Sequence, residues 1–195
     1  MKNNPYFNIK RIFIAVKIDP GDLLLNMISD LKAGLINERI KWAETENFHI
    51  TLAFLGDTEE NKITLIGKML QRVCKGFGDF EIVIKGAGVF KNFKDPRVIW
   101  TGIEPSEKLT KLHDSIKAGL KDTGIATEER SFSPHLTLGR IKIIRDNDTL
   151  KSLVNRYMNV KMQTQQVKED ILYESLLFHS GPAYKPMGKF PLFNK

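Results

Sequence analysis

Two short segments carry the same unusual pair of side chains. Phe48–Gly56 reads FHITLAFLG and Ser133–Arg140 reads SPHLTLGR, so His-x-Thr-Leu occurs twice in a 195-residue chain with only four histidines. Both copies lie in apolar, β-leaning runs that predict strands. Residues two apart on a strand share a face. His49, Thr51 and Ala53 therefore point one way and Ile50, Leu52 and Phe54 the other, just as His135 and Thr137 oppose Leu136 and Leu138. Each copy presents an imidazole and a hydroxyl roughly 6–7 Å apart along the backbone, close enough to reach one small ligand. One copy alone reads as a partly buried histidine beside a threonine chosen for β propensity. Two copies, each with leucine after the threonine, point to chemistry.

Histidine ionises near neutrality, so one neutral imidazole can take a proton from water while a second, protonated one gives a proton to a departing alkoxide. Threonine hydroxyls can donate to the non-bridging oxygens of a phosphoryl group. The set His49, Thr51, His135 and Thr137 suits in-line hydrolysis of a phosphodiester. Histidine pairs also ligate metals, but a catalytic metal site usually takes three protein ligands, often including a carboxylate. No Asp or Glu accompanies either motif at close spacing, and the expectation is chemistry without a metal or other cofactor.

Arg140 lies five positions past His135. By strict alternation it points away from the histidine face, and Gly139 offers a place to bend it back; a guanidinium there would make forked contacts with phosphate. Phe90, in GVFKN, is placed on a loop, where it could pack in the core or stack on a base. His113, within KLHDSIKAGL, reads as a surface residue, and His179 falls at a strand end. Cys74, the single cysteine, excludes an internal disulfide and reads as a small buried hydrophobe.

The elements that must position these residues follow from periodicity. Arg11–Ile18 (RIFIAVKI) is a buried strand after a polar tail of about ten residues, ended by Asp19-Pro20-Gly21. Leu23, Leu24, Met27, Ile28, Leu31 and Leu35 make the apolar face of a first helix. Phe48–Leu55 is a strand ended by Gly56-Asp57, and Thr58-Glu59-Glu60 should cap a helix burying Ile63, Ile66, Leu70 and Val73. Phe80–Lys85 and Val98–Ile103 are strands. A second, similar block holds a helix over Glu107–Leu120, the Phe132–Ile143 strand and a helix over Asp148–Met158. It closes with a hairpin of Val167–Phe178 and Tyr184–Leu192 around Ser180-Gly181-Pro182. No linker divides the blocks, and residues 1–195 are expected to form one α+β unit of two packed, intertwined lobes with one His-x-Thr motif in each. The net charge of +7 and pI near 9.4 favour an anionic partner such as nucleic acid. No run suits a membrane span or a signal-peptide core, and a cytoplasmic protein is expected.

The chain also resembles the two-histidine (2H) phosphoesterases, specifically the RNA 2′,3′-cyclic phosphodiesterase group, historically called 2′–5′ RNA ligases. RIFIAVKI, KWAETENFHITLAFLG, GAGVFKN, PRVIWTGIE, FSPHLTLGR and LYESLLFHSGPAYKPMGKFPL carry the likeness over nearly the whole length. The resemblance implies a bilobal α+β fold with two pseudo-symmetric lobes of antiparallel sheet around a central cleft. It implies opening of an RNA terminal 2′,3′-cyclic phosphate to a 2′-phosphomonoester. His49 would be the proton donor, His135 the proton acceptor, and Thr51 and Thr137 would hold the phosphate, with Arg140 and Phe90 near the nucleotide. Gly139 stands where the group commonly has a small residue such as alanine. The reverse joining reaction, or an RNA-holding module without turnover, are the alternatives; nothing in the residues demands more than a monomer.

Overall fold

The computed structural model describes residues 9–125, 131–178 and 181–193. Nine strands and four α-helices alternate along them: β1 (Ile9–Lys17), α1 (Asp22–Gly34), β2 (Arg39–Trp42), β3 (His49–Glu59), α2 (Glu60–Cys74), β4 (Phe80–Phe90), β5 (Val98–Ile103), α3 (Glu107–Asp122), β6 (His135–Ile143), α4 (Asn147–Arg156), β7 (Lys161–Val167), β8 (Glu169–Phe178) and β9 (Gly181–Pro191). The strands form one antiparallel sheet in the order β7-β4-β5-β6-β3-β1-β8-β9, with β2 added along β6. At its centre, β3 and β6 are joined by the single pair Ile50↔Leu136. That seam divides the sheet into two halves, β3-β1-β8-β9 and β7-β4-β5-β6 with β2. The fold is α+β with two lobes.

The halves do not follow the two blocks of the chain. β1 and β3 pair with the late strands β8 and β9, whereas β4 and β5 pair with β6 and β7. Two helices also change sides. α1, which follows β1, packs on β7 and α4, and α3, which follows β5, packs on β3 and α2.

β1 shows how an unbroken apolar run serves two layers. Ile12, Ile14 and Val16 enter the main core beneath the helices, together with Leu24, Met27 and Leu31 of α1 and Ile66, Met69 and Leu70 of α2. Phe13 and Ala15, on the opposite face, form a smaller cluster with Ile171 and Tyr173, flanked by Phe54 and Tyr184. A buried leucine or isoleucine of the main core contributes enough that truncation to alanine costs about 2–5 kcal/mol.

Several local expectations are revised. Leu23 is exposed and lies outside the apolar stripe of α1. β3 continues past Gly56, whose positive φ of 66° carries the chain through a bulge, and ends at Glu59. Thr58 is consequently a buried strand residue bonded to the Gly56 carbonyl, and α2 begins without a side-chain cap. β4 runs on through Phe90, which is at a strand end rather than on a loop. β2 and β7 are strands that periodicity does not announce. The polar sequence of β7 (KMQTQQV) has a reason: Gln163 and Gln165 accept from the Gly21 and Asp19 amides and donate to the Asp19 and Lys17 carbonyls, satisfying the turn that leaves β1.

Candidate active site

A cleft of about 540 Å³ opens between the half-sheets. His49 and Thr51 of β3 line it from one side and His135, Thr137 and Arg140 of β6 from the other. Counting outward from Ile50↔Leu136 in antiparallel sense, His49 stands across from Thr137 and Thr51 across from His135. The two motifs are thus related by an approximate twofold axis through the seam. Their alternate residues, Ile50, Leu52, Leu136 and Leu138, are buried in the main core and anchor both strands.

Each imidazole is held by its own backbone. His49 Nδ1–H donates to the Asn47 carbonyl at 2.7 Å, and His135 Nδ1–H donates to the Ser133 carbonyl at 2.8 Å. A carbonyl only accepts, so Nδ1 carries the proton in both rings and Nε2 is left for the cleft. Each ring also meets an aromatic edge. Tyr184 stands at 84° to His49 with centroids 5.0 Å apart, and Phe90 at 83° to His135 with centroids 4.7 Å apart. Phe13 adds a tilted contact to His49 at 4.9 Å. Phe90 also packs on Trp100 with centroids 5.2 Å apart and is not among the described residues that line the cleft.

The route by which Arg140 reaches the cleft is a β-bulge. β5 pairs Trp100 with Thr137 and Ile99 with Gly139, so Leu138 has no partner and the alternation slips by one. Arg140, an odd step from His135, comes round to the histidine face. Gly139 does not supply the bend, since its φ is not positive. Its missing side chain instead makes room for β2, because a Cβ there would sit 2.9 Å from Ile40 Cγ2 and 3.0 Å from Trp42 Cε3.

β3 repeats the device. β1 pairs Ala15 with Thr51 and Ile14 with Ala53, leaving Leu52 unpaired. Ala53 therefore joins the main core and does not share the histidine face, while Phe54 turns to the cleft. Phe54 is five past His49 as Arg140 is five past His135, a signal available in the sequence to anyone who compares the two copies at that offset. The guanidinium of Arg11, on β1, lies over the Phe54 ring at 5.0 Å. Tyr184 and Arg11 also line the cleft, and no spacing rule singles them out.

Burial lowers the His49 pKa below 6.5; the Asn47 hydrogen bond opposes this, and the positive fields of Arg140 and His135 reinforce it. His113, expected at the surface, is partly buried. Its ring stacks on Phe132 with centroids 4.0 Å apart, and its Nδ1 bonds Asp114. His179 lies outside the described residues. Cys74 is buried against Asp170, and burial raises its thiol pKa strongly, so it is an inert core residue. Among the described residues, no helix is long and apolar enough to cross a membrane.

The sequence profile of the 2′-5′ RNA ligase superfamily matches residues 26–165. An RNA 2′,3′-cyclic phosphodiesterase of Methanothermobacter thermautotrophicus is 37% identical over 93% of this chain and 98% of its own length. One from Archaeoglobus fulgidus is 34% identical over 92% and 99%. Among solved structures, a Thermus thermophilus protein aligns with a TM-score of 0.78 at 24% identity, covering 95% of this chain and 99% of that one. Escherichia coli LigT complexed with 3′-AMP aligns at 0.68 and 21%, covering 94% and 98%. These two likenesses are likenesses of fold. Matched over most of its length by the profile and by full-length relatives, and carrying paired histidine strands about one cleft, the chain belongs to the 2′-5′ RNA ligase superfamily.

Proposed function

We propose that this chain hydrolyses the 2′,3′-cyclic phosphate at the 3′ end of RNA to a 2′-phosphomonoester, the activity named for its relatives, with His49 and His135 as acid and base. In this reading His135 Nε2 accepts a proton from water while the water oxygen attacks phosphorus. The bond from phosphorus to O3′ breaks in line, and His49 Nε2 delivers a proton to the departing O3′. The product keeps its phosphate on O2′ and gains a 3′-hydroxyl. The two histidines end with exchanged protonation states and reset by proton exchange with solvent. Thr51 and Thr137 donate to the non-bridging oxygens, and Arg140 balances their charge. Phe90 and Tyr184 hold the two rings in place from their edges.

The observation that carries the reading is the duplicated Nδ1–H to carbonyl anchor, which leaves Nε2 of each ring free on two histidines that line one cleft together with Thr51 and Thr137. A histidine kept for packing needs no such second copy. The test is incubation with a short RNA ending in a 2′,3′-cyclic phosphate in excess chelator, followed by phosphorus NMR of the product. A 2′-phosphate formed at an undiminished rate is the expected result. Phosphate retained on O3′, abolition by the chelator, or no turnover would overturn it.

A further inference from the structure

Beyond the residues placed at the reacting phosphate, one wall of the cleft carries a line of cations. Lys41 of β2 is the register partner of Arg140, and Lys142 lies two residues farther along β6, so all three share the cleft face. Lys41 reaches across the mouth toward β9, where its Nζ would meet a Cβ on Gly181 at 2.9 Å. The ion pairs among the described residues use other cations, leaving Lys41, Arg140 and Lys142 without a carboxylate in pairing distance there. Glu44 is the one acid lining the cleft among the described residues. Three like charges on adjacent strand positions repel one another, and a polyanion laid along them relieves that repulsion. Alternate strand positions lie roughly 6–7 Å apart, a spacing that successive phosphates of an extended single strand can follow.

We infer that Lys41 and Lys142, leading away from Arg140 along the β2–β6 wall, hold the phosphates of the nucleotides that precede the cyclic end, so that the chain selects RNA strands over cyclic mononucleotides. This rests on the hydrolase reading above. A 2′,3′-cyclic phosphate occupies the last 3′ position, so the rest of the strand leaves the site only on its 5′ side. A wall of cations that begins beside the reacting phosphate and continues outward is where that 5′ segment lies. A mononucleotide engages only its near end.

The test compares a cyclic mononucleotide with a ten-nucleotide RNA ending in 2′,3′-cyclic phosphate, using wild type and the double variant Lys41→Ala/Lys142→Ala. The expected loss is about tenfold or more in kcat/KM on the RNA and less than twofold on the mononucleotide. Each phosphate contact on a single strand contributes about 0.7 to the slope of log affinity against log salt. The slope for the RNA should therefore fall by about 1.4 in the double variant. Lys142→Glu, with its thermal melt recorded alongside, should lower the RNA rate further while still folding. Equal losses on both substrates, or an unchanged salt slope, would show these lysines to be solvated strand cations and overturn the inference alone. Failure of wild type to turn over either substrate would instead remove the hydrolase reading.

Discussion

A strand histidine can offer either ring nitrogen to a ligand, and the choice is made by what holds the other. Here the carbonyls of Asn47 and Ser133 make it identically for His49 and His135. Replacing either histidine by alanine should lower kcat on the cyclic-ended RNA on the order of 10²–10⁴-fold, as measured by product release. The depressed pKa of His49 adds a sharper expectation. A proton donor must start protonated, so kcat/KM should decline as pH rises through a value below 6.5 in the free protein. The entering phosphate opposes burial and the Arg140 field, and the corresponding limb in kcat should lie higher. Arg140→Gln removes one of the positive charges that lower the His49 pKa, so the kcat/KM limb should move up in pH while KM rises. Movement of the acidic limb instead, on which activity rises with pH, would reverse the roles of the two histidines. The strand faces of the four motif residues were legible from spacing because a period of two is a reliable guide over three residues, whereas the cleft between them was implied only by the family resemblance. Arg11 and Tyr184 were not, since each reaches the cleft from a neighbouring strand and only pairing reveals that.

At the scale of the strands, the alternation argument fails just where a residue is inserted. Leu52 and Leu138 are bulged, and beyond them every side chain changes face. That is why Phe54 was assigned to the helix side and Arg140 needed a bend, and why a single offset of five describes both positions. The long apolar strands and all four helices were readable from periodicity. β2 and β7 were not, because an edge strand with polar duties shows little hydrophobic alternation. Further back from the cleft, β4 passes so close to β5 that a Cβ on Gly88 would overlap the Trp100 indole. Trp100 supports Phe90, and Phe90 supports His135. Gly88→Ala should therefore destabilise the fold by about 1–3 kcal/mol through overpacking and lower kcat more than it raises KM. Thermal melting and steady-state kinetics check this together. A variant that melts lower but keeps its kcat would show that His135 does not depend on this stack.

For the whole molecule, the buried carboxyl of Asp170 sets a pH dependence unrelated to the cleft. Desolvation pushes its pKa up to about 7, with the Cys74 thiol donating to Oδ2 at 3.5 Å. Between its ordinary value of 3.8 and about 7 the native state keeps a proton that the unfolded chain releases. Its contribution is thus fully present below that window and is lost as pH rises through it. Asp170→Asn should raise the melting temperature at pH 8 and change it much less at pH 5; an equal shift at both would contradict this assignment. Two intertwined lobes were expected from the sequence, but which strands belong to each was not readable there, and only the pairing of β8 and β9 with β1 shows it. With α1 and α3 each roofing the half opposite to the strand that leads into them, neither wall of the cleft owns a complete roof. Both tryptophans stand in one half, Trp42 on β2 and Trp100 on β5, while helical circular dichroism reports on both. The two signals should vanish at one temperature. Damage that unseats either wall takes the other with it, so this protein has no half-open survivor with one histidine strand intact.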